Sequence, residues 1–135
     1  MVISPTNSYE VTLPDDVQQG WDETVVSFWR KGSNCALQVS SFVRSSGKQV
    51  SAKGRLADRM KSMGGDWVEG AVDLSTLNCE IAVGTTVDKE EGFKWTHVYL
   101  VWPDLTVYAT LSRPVLEPPE SEDWAIEGLR SIRRR

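Results

Sequence analysis

An α+β fold, a mostly antiparallel sheet of about six to seven strands packed with two helices, is predicted from three observations. Apolar residues alternate with a period of two through most of the 135 residues. The period changes to helical spacing in only two places. Strand–helix–strand units do not recur often enough to build a doubly wound parallel sheet, so antiparallel pairing with helices packed on it is the natural arrangement. The predicted order is β-β-β-α-β-β-β-β-α in a single domain over 1–135, with no internal repeat, low-complexity segment or linker.

The first strand is read at 8–13, SYEVTL, and ends at the turn Pro14-Asp15-Asp16. Residues 23–31 are β-branched and aromatic, and Lys31-Gly32-Ser33-Asn34 separates them from the clean alternation of 35–44. Together these two runs read as a hairpin. After Ser45-Ser46-Gly47 the spacing becomes helical: Ser51 is a good N-cap, Ala52, Leu56, Met60 and Met63 form a narrow apolar stripe, and Gly64-Gly65 supplies a left-handed stop. Strands then resume at 66–74, 78–87, 94–102 and 105–112. Asp88-Lys89-Glu90-Glu91-Gly92 lacks the carboxylate spacing of a calcium loop and reads as a solvated turn. A second helix opens at Pro118-Pro119-Glu120-Ser121, with Ala125, Leu129 and Ile132 on one side and Trp124 and Ile126 in support. The terminal Arg133-Arg134-Arg135 reads as positive charge complementing the carbonyl end of that helix.

The turn Trp102-Pro103-Asp104-Leu105 places proline where its fixed φ suits a turn and predicts the register of the last hairpin. If Trp102 opposes Leu105, then Leu100 faces Val107, Val98 faces Ala109 and Thr96 faces Leu111. That side is apolar. The other side pairs Val101 with Thr106, Tyr99 with Tyr108, His97 with Thr110 and Trp95 with Ser112. It is aromatic and hydrogen-bonding. Other strands repeat the division: Cys35, Leu37, Val39, Cys79, Ile81 and Val83 form apolar sets. Ala36, Gln38, Ser40, Glu80, Ala82, Gly84 and Thr86 form small or polar ones. The apolar face is expected to be the core, covered by helix 51–63 and by the terminal helix. The other face is expected to be wet or partly covered: either a shallow concave binding surface of small residues beside Trp and Tyr, or a face covered by loops or the second helix.

Composition narrows the function classes. Hydrophobic residues make up 40% and charged ones 25%, an ordinary soluble profile. A net charge of −4 argues against general affinity for nucleic acid. No basic and apolar leader and no apolar run of roughly 20 residues occurs, so membrane insertion is not expected and the cytoplasm is the expected compartment. Cys35 and Cys79 lack metal-ligand spacing and sit in apolar alternations, which suits reduced, buried thiols. No cofactor and no metal site is expected. Six tryptophans are the unusual feature, since Trp suits cores, interfaces and ligand grooves alike.

The single histidine, His97, lies between Trp95 and Tyr99. Paired with Glu80, or assisted by Tyr99, it would supply an acid–base centre for a small-molecule or hydrolytic site. No nucleophile elbow, Walker loop, zinc-protease motif or dinucleotide glycine pattern accompanies it, so no catalytic residue is assigned.

The opening SYEVTLPDD, the β-rich middle with one helix after the third strand, and the closing WAIEGLRSIRR resemble the Mog1/PsbP-like superfamily. Bacterial DcrB-type proteins and secretion-effector chaperones are close in style. A short strand ending in proline and a last helix ending in Ser131-Ile132-Arg133 carry the resemblance. The tryptophan expected soon after the first proline is displaced: Val17 stands near it and Trp21 comes later. No GTPase-binding surface or photosystem metal ligands match positions here, so no functional residue is carried over. The resemblance implies a non-enzymatic binding or adaptor scaffold. The leading expectation is therefore a protein–protein interaction module, chaperone-like or regulatory, binding another protein through Trp95, His97, Tyr99 and Tyr108. An exposed strand edge would also allow a homodimer.

Overall fold

A computed structural model of the chain describes residues 1–43 and 51–135. The predicted Ser45-Ser46-Gly47 turn and the end of the third strand at Arg44 lie outside the described residues. The elements run β1 (Val2–Thr6), β2 (Tyr9–Thr12), β3 (Val17–Asp22), β4 (Val25–Arg30), β5 (Ala36–Val43), α1 (Ala52–Met63), β6 (Val68–Glu69), β7 (Glu80–Asp88), β8 (Phe93–Val101), β9 (Leu105–Pro114), α2 (Asp123–Arg130) and β10 (Arg133–Arg134). Seven strands form one antiparallel sheet in the order β3-β4-β5-β9-β8-β7-β6, and β1-β2-β10 form a second. The class is α+β, as the sequence predicts.

The register of β8 and β9 is the predicted one at every pair: Trp95 opposite Ser112, His97 opposite Thr110, Tyr99 opposite Tyr108, Val98 opposite Ala109 and Leu100 opposite Val107. The turn is closed by Trp102 N–H donating to the Leu105 carbonyl at 2.8 Å. The expected hairpin of β4 and β5 also forms, with Val26 opposite Val39 and Phe28 opposite Leu37.

The core lies between the large sheet and a second layer made of the small sheet and α2. Phe28, Leu37, Val39, Val98, Leu100, Val107 and Leu111 face Tyr9, Val11, Leu13, Trp124, Ala125, Leu129 and Ile132, all buried. Gly128 allows the close approach of α2, because a Cβ there would stand 2.5 Å from Leu13 Cδ2. A buried ion pair, Arg113 Nε to Glu122 Oε2 at 3.4 Å, and the bond from Arg113 Nη1 to the Glu117 carbonyl at 2.6 Å pin the segment that leads into α2.

One expectation about the layers is reversed. Helix α1 does not cover the apolar face; it packs on the opposite one, where Ala52, Leu56 and Met60 meet Ala82, Tyr99, Val101 and the half-buried Tyr108. The narrow stripe suits this role, since a face of small and aromatic residues offers a shallow seat rather than a deep core. The helix is otherwise as expected: Ser51 Oγ accepts the Gly54 N–H at 3.0 Å and Gly64 takes φ 73°.

Three strands go beyond those expected. β1 contains Pro5, which an edge strand tolerates. β3 is a polar edge, Val-Gln-Gln-Gly-Trp-Asp, with little alternation to read. β10 corrects the reading of the terminal arginines: Arg133 pairs with Glu10, Arg134 pairs with Tyr9 and bonds the Asp104 carboxylate, and the helix has already ended at Arg130. Backbone pairing and a specific ion pair hold this segment, rather than a helix dipole. The predicted strand 66–74 shortens to Val68–Glu69, and the predicted helical start at Pro118–Ser121 is a 3-10 turn, Pro119–Glu122.

Gly84 is where α1 meets the sheet. A Cβ there would lie 3.3 Å from both Leu56 methyls and 3.2 Å from the Trp67 ring. Gly84→Val is expected to push α1 outward and cost about 1–3 kcal/mol, measured as a lowered urea midpoint; an unchanged midpoint would show that the helix seat does not depend on this glycine.

Candidate functional site

On the face beneath α1, antiparallel pairing assembles one continuous row across six strands: Gly84, His97, Thr110, Gln38, Ser27 and Gly20. The adjacent row carries Thr86, Trp95, Ser112, Ala36, Trp29 and Gln18, and the row on the other side carries Ala82, Tyr99, Tyr108 and Ser40. Helix α1 packs on β7 and β8 and reaches Tyr108 of β9. Farther along the same face, Gln38 and Trp29 are exposed. Among the described residues the face is therefore half covered.

The four sequence-predicted residues come together but differ in access. His97 is 2% exposed and Tyr99 6%, both beneath the helix, whereas Trp95 and Tyr108 are half-buried. His97 has both ring nitrogens engaged: Nδ1 lies 3.0 Å from the Tyr108 hydroxyl and Nε2 3.2 Å from Thr86 Oγ1. Each hydroxyl can donate or accept, so a neutral imidazole satisfies the arrangement in either tautomer. Burial lowers the His97 pKa from its ordinary 6.5, and the nearby Arg59 charge lowers it further. Burial also pushes the Tyr108 phenol up, partly offset by the Arg59 charge.

Arg59 is the residue that sequence reasoning missed. It comes from α1, donates from Nε to the Tyr99 hydroxyl at 3.3 Å, and places Cζ 4.5 Å from the centre of the Tyr108 ring. Tyr99 and Tyr108 are themselves in contact, with ring centres 4.6 Å apart. A signal was present in the sequence: Arg59 stands three residues after Leu56 and four before Met63, on the spacing of the apolar stripe itself. Trp29 is the second missed residue. It lies across Gly20, where a Cβ would come within 3.1 Å of its ring, and its Nε1 donates to Gln18 Oε1 at 3.1 Å.

Where the helix ends, a cleft of about 650 Å³ opens between α1 and the β7–β8 turn. Its lining includes Gln38, Arg59, Trp95, His97, Tyr108 and Thr110, and Asp66, Asp88, Lys89 and Glu90 also border it. Asp88 is occupied in its own turn, accepting the Glu90 and Glu91 N–H groups at 3.0 and 3.1 Å.

Glu80 does not join His97, which corrects the acid–base pair drawn from the sequence. Glu80 pairs with Val101 while His97 pairs with Gly84, four residues along the strand, a separation of about 13 Å. The Glu80 carboxylate instead accepts the Ala52 N–H at 3.3 Å, at the start of α1. Cys35 and Cys79 are free; burial raises both thiols, Cys79 to about 11, so neither is an activated nucleophile. Among the described residues no three His, Cys, Asp or Glu side chains come together as a metal site, and no helix is long and apolar enough to cross a membrane.

A seven-stranded antiparallel sheet with one helix on each face and a small three-stranded sheet make up a Mog1-like fold. Solved structures similar to this chain include two at low identity. One is a protein from Bacteroides thetaiotaomicron, with a TM-score of 0.66 and 13% identity, covering 94% of this chain and 45% of that one, so this chain spans less than half its length. The other is a point mutant of the protein Mog1, with a TM-score of 0.59 and 10% identity over 98% of this chain and 94% of that one. At such identities the likeness concerns the fold alone. No family model matches the sequence, and a search of the curated proteins finds no match.

His97 is neutral in the folded protein, so its contribution to the pH dependence of stability has a definite sign. Below pH 6.5 the unfolded chain takes up a proton that the native site resists, and stability falls as the pH drops from 6.5 toward the lowered folded pKa. Urea unfolding at about pH 7.5 and about pH 5.5 should show a smaller loss for His97→Gln than for the unsubstituted chain. Equal losses would mean that this histidine is not held neutral.

Proposed function

We propose that this chain is a non-enzymatic protein–protein interaction module, an adaptor, chaperone-like or regulatory protein, whose partner docks on the half-covered sheet face beside α1. The observation that carries the reading is the division of that face. Among the described residues helix α1 covers its β7–β8 side as far as Tyr108 of β9, and the polar row continues from beneath the helix to Gln38, Ser27 and Gly20 with Trp29 across its end.

The arrangement has the character of an interface. Exposed and half-buried aromatics give contact area at low entropic cost, and the neighbouring hydroxyl and amide groups are satisfied both with and without a partner. Thr110 Oγ1 donates to Gln38 Oε1 at 3.5 Å and Gln38 Nε2 donates to Ser27 Oγ at 3.2 Å, so these groups are already ordered along the row. In this reading Trp95 and Tyr108 make the direct contacts. His97 and Tyr99 hold them and the helix in place from below. Engagement of both His97 nitrogens by hydroxyls, with Glu80 distant, favours binding over hydrolysis.

Affinity capture from the native cell with the unsubstituted chain, Trp95→Ala and Trp29→Ala tests the assignment. Each substitution is expected to weaken retention of the same partner by at least about tenfold, with unfolding midpoints close to that of the parent. Retention unchanged by both, or loss only in proportion to lost stability, would remove the face as the docking surface.

A further inference from the structure

Arg59 has a partly committed guanidinium. Its Nε is engaged by Tyr99 and its Cζ lies over the Tyr108 ring. No ion pair involves it among the described residues, although its chain neighbour Asp58 is exposed. Residues 44–50 contain no Asp or Glu that would supply one. An arginine clamped by two tyrosines is pre-ordered, so little side-chain entropy remains to be lost when its two terminal nitrogens take up an acceptor. The planar fork matches a carboxylate, and among the described residues only its Nε is hydrogen-bonded.

The same cleft provides the other half of a recognition pattern. Trp95 is half-buried in the same lining as Arg59, and Gln38 and Thr110 present an amide and a hydroxyl. At the border, Asp66, Asp88 and Glu90 outnumber Lys89. An acidic run would be repelled there on a chain already at −4. A lone acid with basic neighbours would be favoured at both levels, its carboxylate on Arg59 and its flanks near the acidic border.

We infer that the cleft recognises an acidic side chain, flanked by basic residues, in a segment of the partner protein, with Arg59 as the carboxylate receptor and Trp95 as an apolar platform in the same lining. This rests on the reading of the face as a protein-binding surface and specifies the chemistry of what binds. Charge complementarity commits the cleft to a peptide segment of mixed charge, in preference to a second copy of this acidic chain or to a free dicarboxylate.

Selection of a random-heptapeptide display library on the full chain supplies the probe, followed by affinity and chemical-shift measurements on the enriched peptides. The expected result is enrichment of Glu or Asp beside Lys or Arg, with shifts at the Trp95 indole and the Arg59 side chain. Changing the acid to its amide, or Arg59→Gln, should weaken binding at least about tenfold, the loss expected for a charge-assisted bidentate contact. Arg59→Lys should fall between, because it keeps the charge and loses the fork. Arg59→Gln is checked for an unchanged unfolding midpoint, and Arg59→Lys gives the same comparison if it fails. Peptides without an acid that still shift Trp95 would overturn the carboxylate assignment and leave the docking face standing. Failure of any peptide to be enriched, shifts confined to another surface, or tighter binding of free succinate than of the peptides would each overturn it too, the first two counting also against the face.

Discussion

Register in the β8–β9 hairpin governs both faces of the large sheet. Side chains alternate with a period of two, so a slip of β8 by one residue would send Val98 and Leu100 to the polar side and bring His97 and Tyr99 into the core. The Trp102–Leu105 turn prevents that slip, and the two strands lie at the centre of the sheet, between β5 and β7. The core, the seat of α1 and the histidine network all inherit their positions from this one pairing. The terminal ion pair of Arg134 with Asp104 adds a brace at the turn itself.

The two layers are stabilised differently. On one side an apolar surface closes against the small sheet and α2, where close packing does most of the work and Gly128 sets the distance. On the other side α1 rests on a thin apolar patch and is held by specific contacts: Leu56 over Gly84, Glu80 at its first turn, and Arg59 against two tyrosines. A polar network with both histidine nitrogens satisfied orients the aromatic side chains without requiring a charged group in the interior.

Much of this was readable from local chemistry. The alternation in 35–44 and 94–112 and the Trp102-Pro103-Asp104-Leu105 turn specify faces and register, and Ser51 and Gly64 delimit α1. What was not readable has a common cause. The strands Val17–Asp22 and Arg133–Arg134 owe their pairing to distant partners rather than to their own pattern, and a polar edge strand looks like a loop until its neighbour is known. The side on which α1 lands was misjudged for a related reason: amphipathicity says that a helix must cover something, and only the competing helix α2 and the small sheet decide which face remains. In the candidate site, cross-strand neighbours were legible and the contribution from the helix was not. Arg59 belongs to a different element, and sequence spacing places it on the stripe without naming the tyrosines it meets.

Half coverage of one sheet face has an evolutionary consequence. Positions such as Gln18, Ser27, Trp29 and Gln38 share strands with core residues but point away from them, so each strand carries two independently variable alphabets. Substitutions in the outward alphabet alter what the surface presents while the inward one continues to specify the same architecture. A lineage built on this plan can change its exposed surface and keep its shape, and two descendants can retain superimposable backbones long after their sequences have ceased to look alike.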